Sequence, residues 1–179
     1  MTGIVDLEKA KLELKARRGY RNWASRFGED FGLSTSLSHI SDKTLIFLAR
    51  GKGNSPFYID DLIMNLQGLG SGFEFNDLDT KDKMIVMDRH LFLLDRIRFE
   101  YMKRLGWLNN YPGEEFTLIE LIIKFDQFAA GMQARSPVLS EDHPDYPKFC
   151  KMGSFEKEEL IRKLVYVALK EIEDHSTTL

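Results

Sequence analysis

The chain has 179 residues, of which 43% are apolar and 30% charged, with a net charge of −3 and a pI near 5.8. That length and balance fit one globular domain with its own core and exclude wholesale disorder, while the mild acidity weighs against a long nucleic-acid surface, which is normally basic. A single cysteine, Cys150, excludes an internal disulfide and a cysteine-based zinc site and fits a reducing compartment such as the cytoplasm.

The first residues, "MTGIVDLEKAKLELKARRG", are charged throughout and lack the apolar core of a signal peptide. Over residues 4 to 27, Leu12, Ala16, Tyr20, Trp23 and Phe27 recur at steps of three and four, which predicts an amphipathic helix stopped at Gly28. A second helix is expected to be capped by Ser41 and to end before Gly51. In "NSPFYIDDLIMNLQG", Ser55 is the expected cap, Pro56 the first helical residue and Gly68 the stop. "GLGSGFEFND" reads as a loop.

Asp79 or Thr80 opens a long central helix that runs to about Leu105. After the turn "NNYPGEEF", Thr117 and Glu120 form a capping-box pattern, and that helix is expected to reach about Arg135, stopping before Pro137. "PVLSEDHPDYPKF" holds three of the five prolines and reads as a loop. Ser154 is expected to cap a last helix through about Asp174, with Ile161, Leu164, Val165, Ala168 and Ile172 inward and a frayed tail from about 175. No alternation is long enough for a convincing strand. The most apolar run, "FTLIELIIKFDQFAAGM", is interrupted by Glu120, Lys124 and Asp126, so no membrane span is expected. The fold class read from this pattern is all-α: a single domain over 1–179, with five to six helices bundled around a long central helix at about 80–105.

The central helix carries an unusual set of charges. Met84, Met87, Leu91, Leu94, Tyr101 and Leu105 share one stripe, with Arg98 between Leu94 and Tyr101. Ile85, Phe92, Phe99 and Met102 make a second stripe that includes Asp88 and Asp95. A helix apolar on most of its circumference belongs in the middle of a bundle, which leaves Arg89, Arg96 and Lys103, seven apart, as its one wet edge. Asp88 and Asp95 are two turns, about 10.5 Å, apart, too far to share a metal ion and beyond the spacing of an inverting glycosidase pair. His90, among Val86, Leu93 and Ile97, reads as a satisfied core histidine. Arg96 with Glu100, Glu100 with Arg104, and Asp95 with Arg98 are at pairing distance along the helix.

No catalytic constellation emerges. "ARGKGNS" and "GLGSG" have phosphate-loop glycines without the required spacing or strand, and metal-binding and thiol-redox motifs are absent, so no catalytic residue, metal or cofactor is expected. His143 and Asp145 in "HPDYP" are two residues, not a site. Seven cations stand against three carboxylates over residues 1 to 28, but Tyr20 and Trp23 belong to the apolar stripe, so the basic residues read as a solvated face. Residues 41 to 67 resemble a helix-turn-helix, yet the second helix carries Asp60 and Asp61 and no cation, which disfavours nucleic acid.

The leading functional expectation is a non-enzymatic, cytoplasmic helical protein acting through protein contacts, with a homodimer as the expected assembly. Its support is the aromatics in or near loops: Phe31, Phe73, Phe75, Trp107, Tyr111 and Phe116. The alternative is a small-molecule or metal-binding protein, enzymes included, with a pocket lined by Asp88, Asp95 and Arg98 together with Glu120 or Asp126. A nucleic-acid-binding regulator is the third option.

Overall fold

The structure, a computed structural model, describes residues 2–132 and 136–176. It is predominantly helical. α1 (Thr2–Gly19) and α2 (Arg21–Phe27) fill the expected first helix, broken only at Tyr20, whose φ of −90° and ψ of −2° loosen one turn. Ala16, Tyr20 and Trp23 are buried as the stripe requires, and the Trp23 Nε1–H donates to the Tyr58 carbonyl at 2.7 Å. α1 packs against α4 (Ser55–Gln67), and Gly19 makes this approach close, since a Cβ there would lie 2.9 Å from Leu62 Cδ1.

α3 (Asp42–Ala49) begins as expected, with the Thr44 N–H donating to Ser41 Oγ at 3.3 Å. Ser55 does not cap α4. Its buried hydroxyl donates instead to the Leu48 carbonyl at 3.0 Å, tying the start of α4 to the end of α3. "GFEFND" forms a 3-10 turn, Gly72–Asp77, closed by a box between Ser71 and Glu74. α5 (Thr80–Arg104) is the long central helix, with the Asp82 N–H donating to Asp79 Oδ1 at 2.8 Å.

The expected helix from Thr117 divides in two. α6 (Leu118–Ile123) carries the capping box, with the Glu120 N–H donating to Thr117 Oγ1 at 3.1 Å, and α7 (Phe125–Met132) follows a break at Lys124. Residues 133–135, where its end was expected, lie outside the described residues. Two short strands, β1 (Leu108–Asn110) and β2 (Val138–Leu139), pair antiparallel, with Leu108 opposite Leu139. No local pattern in the sequence announces them. The proline-bearing loop contains a short α8 (Tyr146–Cys150). α9 (Ser154–Ser176) starts with the Lys157 N–H donating to the Gly153 carbonyl, so the chain enters this helix one residue earlier than a Ser154 cap implies.

Two clusters of buried side chains result, and α5 runs through both. The larger joins Trp23, Leu45, Leu48, Ile59, Leu62, Leu93, Ile97, Leu118 and Leu121. The smaller joins Met102 to Leu108, Leu139, Phe149, Ile161, Leu164 and Ala168, so α9 seals the C-terminal half of α5. Of the loop aromatics expected to be exposed, only Phe73 is, at 77%; Tyr111 is buried, and Phe31, Phe75, Trp107 and Phe116 pack half-buried on the clusters. No described helix is long and apolar enough to cross a membrane.

Candidate functional site

Of the heptad cations of α5 expected as its wet edge, Arg89 and Arg96 turn inward and Lys103 is half-buried. The Arg89 guanidinium lies over Phe125, 4.7 Å from the ring centroid. Arg96 sits between Phe92 and Phe99 at 4.6 and 5.3 Å. Lys103 lies 6.0 Å from the Tyr111 centroid and 2.8 Å from Glu114. A ring face is electronegative and a long cationic stem is mostly methylene, so these side chains bury well against aromatics. Burial lowers the Arg96 pKa, with Asp95 and Tyr111 opposing the shift, and a guanidinium has ample margin to stay charged.

The other inward charges are also engaged. Buried Glu100 accepts from Tyr111 Oη at 2.7 Å and from Arg104 Nε at 3.1 Å. Arg104 donates further to Asp42 and to the Leu37 carbonyl, each at 2.8 Å. His90 is a buried core histidine, its Nδ1 2.7 Å from Asp60 Oδ1. Asp61 accepts from the side chains of Asn22 and Asn65 and from the Gly72 N–H. Asp60 and Asp61 therefore serve the interior, contrary to the expectation that they face solvent and repel phosphate. No residue of α4 is exposed. His143 braces its own loop by accepting from the Asp145 N–H at 3.1 Å.

The five residues proposed for a pocket are dispersed. Asp88 and Asp95 share an exposed face of α5. Although its side chain is exposed, crowding raises the Asp95 carboxyl pKa against the lowering pull of Arg96, Arg98 and Arg162. Arg98 is half-buried and donates from Nε to the Ala49 carbonyl at 3.0 Å. Gly51, at φ 67°, leaves room for it: a Cβ there would lie 2.7 Å from Arg98 Nη2. Glu120 is occupied in its capping box, and exposed Asp126 lies across the helix, 3.8 Å from Arg89. A surface depression of about 570 Å³ lies elsewhere, between α2, α4 and the 3-10 turn, with Asn22, Arg26, Phe57, Tyr58 and Phe73 on its walls. Among the described residues, no cluster of three His, Cys, Asp or Glu side chains is arranged to hold a metal ion.

Apart from Phe73 and Val138, the exposed large apolar side chains described are on or at the ends of α-helices. Met84, Met87 and Leu91, expected to face the core, lie on the outer face of α5 beside Asp88 and Asp95, with Met84 61% and Leu91 56% exposed. α9 likewise turns Phe155 and Tyr166 to solvent, 71% and 72% exposed. α9 packs against α5, and Arg162 is among the cations whose pull opposes the rise of the Asp95 carboxyl pKa. A shallow depression of about 390 Å³ on α9 is lined by Phe155, Glu158, Glu159, Arg162, Lys163 and Tyr166.

Comparison with protein families, with curated proteins and with solved structures finds no match. The candidate site rests on this chain's own geometry. Sequence reasoning followed the inner stripe of α9 and passed over its outer face. The available signal was Phe155 and Tyr166, eleven residues apart and therefore close to one meridian of the helix, opposite the buried Ile161, Leu164 and Ala168.

Proposed function

We propose that this protein is a non-enzymatic interaction module that self-associates. One observation carries the reading: large apolar side chains stand exposed on the outer faces of α5 and α9 while the buried charges have structural partners. Water-exposed apolar area of this kind gains free energy when a second surface covers it, and aromatics with arginine are favoured at such contacts. The free, exposed thiol of Cys150 is in keeping with a reducing, cytoplasmic setting.

The depression beside Arg26 and Phe73 supports a second reading, a small-molecule-binding protein, because it combines aromatic walls with amide and guanidinium donors. Native mass spectrometry compared with the denatured mass separates the two readings. The expected result is a dimer of twice the chain mass with nothing bound. A monomer carrying a stoichiometric extra mass would replace the first reading with the second.

A further inference from the structure

The outer face of α9 has an internal symmetry. Six exposed residues line the depression on this face and run aromatic, acid, acid, base, base, aromatic: Phe155, Glu158, Glu159, Arg162, Lys163, Tyr166. Their spacings are three, one, three, one and three residues, the same in either direction. At about 100° per residue all six fall within a face roughly 140° wide. Read backwards, the order is the same with the charges exchanged.

We infer that this face binds a second copy of the chain through antiparallel pairing of the two α9 helices about a twofold axis between Leu160 and Ile161. The inference rests on the self-association proposed above and names its surface and geometry. In that arrangement Phe155 of each copy meets the other's Tyr166. Glu158 meets Arg162 and Glu159 meets Lys163, because each of those pairs lies on one side of the stripe. A twofold contact repeats every interaction, so one acidic and one basic pair on the helix give two sets of attractions. Parallel pairing in register would set carboxylate on carboxylate and cation on cation, so the charge order selects the antiparallel arrangement. Within one copy Arg162 Nη2 lies 2.8 Å from Glu158 Oε1, so the same acid–base pairing that docking would repeat between copies is already formed along the helix.

The test uses the full chain and two double variants, Glu158→Lys with Glu159→Lys and Arg162→Glu with Lys163→Glu, each checked for wild-type helicity by circular dichroism. Sedimentation equilibrium at low salt is expected to show a wild-type dimer and to show each variant dissociating about 100-fold more readily, since four like charges then face four. An equimolar mixture of the two variants is expected to restore a dimer, now a heterodimer, and 1 M salt to weaken it because screening shortens to about 3 Å. Variants that dimerise like wild type would overturn the α9 geometry while leaving self-association standing on another surface, the α5 stripe first. Monomeric variants whose mixture stays monomeric would overturn the charge pairing. A wild-type chain that is monomeric at all concentrations would overturn both this inference and the reading beneath it.

Discussion

Glu100 shows what a buried charge does in this protein. Its side chain is almost inaccessible, and both carboxylate oxygens are used, one by the Tyr111 hydroxyl and one by the Arg104 guanidinium. Arg104 passes the connection on to Asp42 and to the Leu37 carbonyl, so three stretches of chain are tied together through one carboxylate and one guanidinium. Removing a single donor from such a group leaves a desolvated charge without its partner, which costs more than the bond itself contributes. Tyr111→Phe keeps the ring and its packing and deletes only that donor. The expected loss is about 1–3 kcal/mol in urea unfolding with an unchanged m value. A midpoint matching wild type would mean that Glu100 is held by Arg104 alone.

At the scale of the element, α5 explains both what was legible in the sequence and what was not. Helix starts follow local chemistry, so Ser41, Asp79 and the Thr117–Glu120 box could be read from neighbours three residues apart. The facing of α5 could not, because each of its faces mixes apolar and charged residues. The polar–apolar pattern counted Arg89 and Arg96 as wet, whereas Phe125 and the flanking Phe92 and Phe99 supply ring faces that accept them. With those cations inside, Met84, Met87 and Leu91 are left outside. The β1–β2 pair was equally illegible, since it joins residues about thirty apart in sequence with no local signal. The five pocket candidates lie on α5, α6 and α7, and which face each meets is set by tertiary packing that a single-helix pattern does not carry. Arg96→Lys tests the stacking. An ammonium keeps the charge but lacks the planar surface that lies against two rings, so a loss of about 1–2 kcal/mol is expected in thermal or urea unfolding. A variant as stable as wild type would show that charge alone matters there.

For the molecule as a whole, acid and alkali act through different residues. Glu29 follows α2 and reaches the start of α3, accepting from the Ser41 N–H and Oγ at 3.0 and 2.9 Å and from the Thr44 hydroxyl. Burial alone would raise its pKa, but those hydrogen bonds and the charge of Arg104 prevail and hold it below the ordinary 4.5. A depressed carboxylate contributes stability that is present above the unfolded pKa and is lost as pH falls through the folded one. The acid limb should therefore lie below about pH 4.5 and should be shallower in Glu29→Gln. Tyr20 and Tyr111 behave oppositely. Burial raises both phenols, and Glu100 adds to the rise at Tyr111, so the folded chain keeps its protons while the unfolded chain loses them above about pH 10. Stability should fall there, and these two of the six tyrosines should ionise only as the chain unfolds, which phenolate absorbance followed beside circular dichroism will show. Because Glu29 reaches the start of α3 and feels Arg104, its protonation loosens the same junction that Tyr111 closes through Glu100. Glu29→Gln should thus change the acid limb and leave the alkaline one in place; a change in both limbs would mean that the two ends of this network titrate as one.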